Sequence, residues 1–321
     1  MNLLKSGNGL TFKKVAPWGA VVLALILLAF SPFYTSAYTI VLLNTIIMYI
    51  VMSVSWNIFS GPTRYQSLAT AAFFGVGVYA SALFGDSLPL PLLMLIGGAV
   101  SFGLALVIGA ITLRLRGVYF TIFTFGLVLL LQSLILWYET TFSGTRGRTV
   151  ISIDYQYVFY CMFAVLVLVL LASFFIKRSR LGMALTSIGE SEDAAAHVGV
   201  NTTVVKVLAF AITSFAMGAV GAAKATTMIY VDPPIAFNVL MSFMPVLMVI
   251  FGGINTFIGP VIGAVIFTVL QEKLITVYPQ WYMIIFGTIM VLAILFLPDG
   301  LVGLTKKFRF HKKEVREHAN T

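Results

Sequence analysis

Residues 90–113 read Leu-Pro-Leu-Leu-Met-Leu-Ile-Gly-Gly-Ala-Val-Ser-Phe-Gly-Leu-Ala-Leu-Val-Ile-Gly-Ala-Ile-Thr-Leu, and Arg114 and Arg116 follow at once. No charged side chain interrupts the stretch. A helix needs about 20 apolar residues to cross the hydrocarbon core of a bilayer. In that core there is no water, so every backbone N–H and C=O must pair within its own segment. A membrane β-strand would alternate over about ten residues, whereas this run is continuously apolar. It is read as one transmembrane helix.

Working outward, similar stretches lie at 17–33, 38–60, 67–84, 118–137, 157–176, 204–229, 238–256, 260–276 and 281–297. Together with 90–113 they predict an all-α polytopic membrane protein with about 10 transmembrane helices. Composition agrees. The 321 residues are 60% hydrophobic and 10% charged, with a mean hydropathy of +1.02. Soluble domains carry about 25% charged residues, and a soluble fold of this length could not hide so much apolar surface.

The net charge of +9 suggests orientation in a membrane, not nucleic acid. Ten spans put Lys5, Lys13, Lys14, Arg64, Arg114, Arg116, Lys177, Arg178, Arg180, Lys206 and the tail from Lys306 on one side. The positive-inside rule makes that side cytoplasmic, with both termini inside. The expected organisation is a cytoplasmic N-terminal segment (1–16), a transmembrane domain (17–297) with a cytoplasmic loop at 177–204, and a basic cytoplasmic tail (298–321). The N-terminus has the basic-then-apolar pattern of a signal peptide, but no clear small-residue cleavage site follows, and it is read as an uncleaved first span. The single cysteine, Cys161, excludes an intrachain disulfide and a cysteine-rich metal site.

Three places break the spans: Ser60-Gly61-Pro62-Thr63-Arg64 followed by residues 71–77, Gly218 and Gly221 beside Lys224, and Gly252-Gly253 through Gly259-Pro260 to Gly263. In transporters such breaks line the substrate path; equally, small residues let helices pack closely. Phe73, Phe74, Gly75, Gly77, Lys224, Gly252, Gly253 and Asn255 are the candidate path residues. Lys224 stands about 10 Å along a helix from Val231-Asp232-Pro233, at 1.5 Å per residue. It has three readings: snorkelling to the outer surface, attracting an anionic substrate group in the path, or pairing with a partner subunit.

The segment 177–204 is the longest polar interruption. Ser191 is placed to cap a helix, with Glu192 and Asp193 in a first turn that favours acids. Ala194, Ala195 and Ala196 favour helix, and Gly199 suits a left-handed end. Asn201 and Thr202 can cap the next span. A short cytoplasmic helix of about two turns is expected, either as a docking knob or as a plain linker.

The chain resembles the permease subunits of branched-chain amino-acid ATP-binding-cassette importers, of the LivM type, from about Val51 to Leu297. The resemblance rests on residues 71–77 with Tyr79, on Leu113-Arg114-Leu115-Arg116-Gly117-Val118-Tyr119-Phe120, on Gly182 to Asn201, and on Gly252-Gly253 through Gly259-Pro260 to Gly263. Each motif is weak alone; their order and spacing are specific. The resemblance implies an importer permease fold and a coupling helix at Ser191, Glu192, Asp193, Ala194, Ala195, Ala196, His197 and Val198, ending at Gly199. It also implies a second permease (a paralogue), two ATPase subunits that bind ATP and Mg, an extracytoplasmic solute-binding protein, and residence in the bacterial inner membrane. This chain has no G-x-x-x-x-G-K-[ST] phosphate loop of its own. It departs from the family pattern at Arg64, Ala69 and Thr70, where a Gly-His ending is common. It departs also at Met183 and Gly189, where basic residues are frequent, and at Lys224, where an aromatic or apolar residue is usual. These departures leave the substrate open.

The alternatives are a permease of the same build for urea, amides or another small polar solute, and an ion-coupled secondary transporter without an ATPase. An enzyme is not expected. His197, His311 and His318 all lie outside the spans, and no constellation of catalytic groups is visible. No cofactor or metal site is expected in this chain.

Overall fold

A computed structural model describes residues 23–296 and 300–303. The expected N-terminal segment 1–16, the start of the span at 17–33 and the basic tail beyond residue 303 lie outside the described residues. Helices α1 (Leu23–Phe33), α2 (Ala37–Thr63), α3 (Thr70–Phe84), α4 (Leu90–Thr112), α5 (Val118–Tyr138) and α6 (Tyr155–Arg178) are followed by α7 (Arg180–Glu190), α8 (Glu192–His197) and α9 (Thr202–Ala225). The chain continues through α10 (Pro233–Ala236), α11 (Leu240–Gly252), α12 (Gly259–Val277) and α13 (Tyr282–Phe296). Among the described residues, seven segments are long and apolar enough to cross a membrane: α2, α4, α5 with its extension to Ser143, α6, α9, α10–α11 taken together, and α12. Helices α1 and α3 are apolar but shorter. The protein is a polytopic helical membrane protein. Among the described residues the one strand pairing is a two-residue antiparallel ladder, Arg148–Thr149 (β1) against Tyr230–Val231 (β2).

The bundle is organised around α9, which is the most deeply buried of the seven spans. It packs on α3 and α4 through small residues. A Cβ on Gly77 would lie 1.9 Å from the Gly218 carbonyl oxygen, so the two backbones touch where any larger residue would push them apart. Hydroxyls tie the same helices together: Ser101 donates to Phe73 O at 3.0 Å, Ser81 to Ala222 O at 2.8 Å and Ser214 to Ser101 O at 3.2 Å. In lipid the hydrophobic effect gives helices no reason to associate. Close packing and such bonds do that work.

Helix α3 is short because its start is set back into the bundle. Arg64, in the left-handed region at φ 61°, ends α2, and residues 64–69 then run back along it. Trp56 Nε1 donates to Ser67 O at 2.7 Å, the Thr124 hydroxyl accepts from Leu68 N at 3.0 Å, and the Ser242 hydroxyl accepts from Ala71 N at 3.2 Å. Non-helical backbone at membrane depth is tolerated where protein groups satisfy it in this way.

The segment 177–204, expected to be a loop with one short helix, contains two. Helix α7 begins at Ser179, whose hydroxyl accepts from Gly182 N at 3.4 Å. Its buried residues Leu185 and Ile188 recur at helical spacing, while Met183 is exposed. That stripe seats α7 on the bundle; the polar residues between them hid it.

Candidate functional site

Helix α8 is built as its local sequence dictates. The Ser191 hydroxyl accepts from Ala194 N at 3.3 Å, with Glu192 and Asp193 in the first turn. Gly199, at φ +91°, turns the chain out of the helix, and Asn201 Oδ1 accepts from Val204 N at 3.2 Å to open α9. The expected docking residues divide into two faces. Ala195 is buried and Glu192 points into the bundle, whereas Asp193, Ala194, Ala196 and His197 are exposed and Val198 is 85% exposed. The segment thus has an outer face and an inner one. Its outer face is available for contact, and its inner face is an anchor.

The anchor is a buried ion pair. Lys206 Nζ lies 2.6 Å from Glu192 Oε1, donates to Leu113 O at 2.8 Å, and is 3.4 Å from the Tyr65 hydroxyl. The Tyr65 hydroxyl donates to Glu192 Oε2 at 2.5 Å. Only 2% of the Lys206 side chain is exposed, against 16% for Glu192. Outside this pair, Arg116 Nη2 donates to Asp193 Oδ1 at 2.9 Å, and its Nε is 3.9 Å from Glu192 Oε2. Four segments meet here: the 64–69 return, the α4–α5 turn, α8 and the first turns of α9. Burial pushes the Glu192 carboxyl up, but the bonds from Lys206 and Tyr65 and the charges of Lys206 and Arg116 outweigh it and hold the carboxyl below its ordinary value. Burial, then Glu192, pushes the Tyr65 phenol up, so it stays a donor. The Arg116 bond lowers Asp193.

The sequence reading placed Lys206 among the charges of the cytoplasmic side and gave Tyr65 no role. Both belong to the site. The available signal was the position of Lys206 in the apolar first turns of a span, where a lone cation needs a partner.

Residues 38–294 match the family described as branched-chain amino acid transport system / permease component. The chain belongs to this family. It is 25% identical over 326 residues to the high-affinity branched-chain amino acid transport system permease protein LivM of Salmonella typhimurium, covering 89% of this chain and 75% of that one. It is 26% identical over 348 residues to the protein of the same name from Escherichia coli K12, covering 94% and 80%. No solved structure matches it. The protein is thus a LivM-type permease and a multi-pass membrane protein.

In this permease the candidate path residues fall into separate places. Phe73 and Phe74 are 1% exposed, and Gly75 and Gly77 are buried in the packing of α3. Gly252 and Gly253 are buried at the end of α11. Asn255, at φ 63°, lies in the following turn. Here the first and third helix breaks meet: Asn57 Nδ2 donates to Thr256 O at 3.1 Å, Asn57 Oδ1 accepts from Asn255 N at 3.2 Å, and Lys177 donates to Asn255 O. Lys224 is half-buried near the far end of α9 and makes no ion pair within 4 Å among the described residues.

The opposite end of the bundle holds a second buried carboxylate that the sequence reading did not single out. Glu139, 2% exposed, accepts from the Tyr79 hydroxyl at 3.2 Å and from Gly147 N at 2.9 Å, with Arg148 Nε at 4.0 Å. Beside it Arg146 lies 3.6 Å from Asp232, and Tyr230 donates to Arg146 O at 2.5 Å.

Proposed function

We propose that this chain is one of two permease subunits of an ATP-binding-cassette importer for branched-chain or related amino acids, with about ten spans and both termini in the cytoplasm of a bacterium. The observation that carries this reading is the Glu192–Lys206 pair. It fixes an otherwise exposed two-turn helix to α9, the helix on which α3 and α4 pack. An external force on α8 therefore reaches the centre of the bundle. A coupling element of this kind must be rigid between two global states.

In this reading two partner ATPases bind ATP and Mg and receive the outer face of α8: Ala194, Ala196, His197 and Val198. Glu192 and Ala195 hold the helix from inside. A solute-binding protein docks at the end carrying the β1–β2 ladder. The path runs between the two permeases. Broken-helix residues contribute to it: Phe73, Phe74, Gly75 and Gly77 of α3, Gly252, Gly253 and Asn255 at the third break, and Lys224 as a charge that attracts a substrate carboxylate. The chain carries the solute and leaves hydrolysis to its partners.

The test is recovery of the tagged chain from mildly solubilised native membranes, with mass spectrometry of what accompanies it. Two ATPase polypeptides or a dimer of one, together with a second permease, are expected. Val198→Asp and Ala196→Trp are expected to lose the ATPase while keeping the second permease. Recovery of the chain alone across several mild detergents, with uptake driven by an ion gradient, would establish the secondary-transporter reading instead.

A further inference from the structure

Close to α8, on its bundle side, lies a cavity of about 350 Å³ between the end of α2, the end of α6, α7 and the α11–α12 turn. That is within the roughly 300–1,000 Å³ of small-molecule sites. One wall is apolar: Ile58, Ile176, Leu185 and Phe257. Arg64 and Glu190 also line it. Among the described residues, neither the Arg64 guanidinium nor the Glu190 carboxylate has an ion pair or a side-chain hydrogen bond, with each other or with any third group. Of the nearby charged groups, Arg116 is spent on Asp193, Lys206 on Glu192, and Lys177, which also lines the cavity, on Asn255 O.

The cavity persists because α7 is held at a fixed distance. A Cβ on Gly189 would lie 1.9 Å from the Pro62 carbonyl oxygen, so α7 touches the end of α2 backbone to backbone. Asn57 holds the α11–α12 turn on the other side. Glu190 is the last residue of α7, and the next residue, Ser191, caps α8. Whatever engages Glu190 therefore acts within one residue of the docking helix.

An unspent cation and an unspent anion on one cavity with an aliphatic wall complement a small zwitterion with an apolar side chain. We propose that this cavity is a second, regulatory site for an aliphatic α-amino acid entering from the α8 side. Arg64 takes its carboxylate in a bidentate, charge-assisted pair, Glu190 takes its ammonium, and occupancy restrains α7 and α8 so that accumulated amino acid slows transport. This inference rests on the amino-acid reading above.

The test uses the complete transporter in proteoliposomes with ATP in the lumen on the α8 side. Initial uptake of labelled leucine is measured against luminal leucine, leucinamide (no carboxylate) or 4-methylpentanoate (no ammonium). Luminal leucine is expected to slow uptake, and each analogue to need at least about tenfold more. Glu190→Gln and Arg64→Asn are expected to raise the inhibitory leucine concentration at least about tenfold, leaving uptake without luminal leucine unchanged. Asparagine is chosen because it tolerates the left-handed backbone at position 64. Arg64→Asn should also abolish the preference for leucine over leucinamide. Uptake that ignores luminal leucine, or inhibition that survives both substitutions, overturns this inference and leaves the transport reading standing. No uptake of any aliphatic amino acid overturns both.

Discussion

Each end of the bundle holds one glutamate largely out of solvent, and the two are held differently. Glu192, at the α8 end, has a direct ion pair with a fully buried lysine at 2.6 Å and a tyrosine donor at 2.5 Å. Glu139, at the ladder end, has a tyrosine and a backbone N–H, with its nearest cation 4.0 Å away on a half-exposed arginine. The first is bolted by charge and joins segments distant in sequence. The second is a latch of neutral donors from α3 and from the loop that follows Glu139, with Arg148 at its rim. A bolt suits an element that must transmit force without slack.

The comparison breaks most sharply at the bolt. Glu192→Ala leaves Lys206 buried without its counter-charge, and removal of one partner of a buried pair costs about 3–5 kcal/mol. A large fall in the thermal midpoint of the purified complex is expected. Lys206→Met is expected to cost less, because Glu192 retains some exposure and can be hydrated. The double variant should be more stable than the sum of the two losses predicts. A next, smaller effect is expected from Glu139→Ala, which strands the Tyr79 hydroxyl and Gly147 N–H, at about 1–3 kcal/mol for an orphaned buried donor. Equal losses at the two ends would erase the distinction.

Titration sharpens the comparison. The Glu192 carboxyl lies below its ordinary value in the folded state. Its contribution is therefore fully present above the unfolded carboxylate pKa of about 4.3 and is lost as pH falls through the lower folded value. Unfolding midpoints of wild type and Glu192→Gln should converge on acidification and separate above that range. The smallest effect is expected from Arg116→Ala. Its contact with Asp193 is solvent-exposed, exposed pairs contribute little, and the midpoint should not move measurably.

The bundle was legible because uninterrupted apolar runs such as residues 90–113 allow one solution in lipid. Helix α8 was legible because Ser191, the two acids, three alanines and Gly199 each have a single local meaning in that order. Its partners were not. Lys206 is 14 residues from Glu192 and Tyr65 is 127 away, and no local rule links them. Helix α7 was missed because only every third or fourth residue is buried. The 71–77 stretch was read as a candidate path, and its small residues serve first to seat α3 on α9. Gly77 and Gly218 look alike to either reading until the backbones are seen to touch.

The central claim is that α8 passes ATP-driven motion to α9 through the Glu192–Lys206 pair. It is tested most directly by the ratio of leucine imported to ATP hydrolysed in proteoliposomes holding the complete transporter. With Glu192→Ala, in complexes shown to retain both ATPases, hydrolysis is expected to continue while leucine imported per ATP falls at least about tenfold, the loss that about 1.4 kcal/mol of coupling represents. An unchanged ratio in that variant would contradict the account.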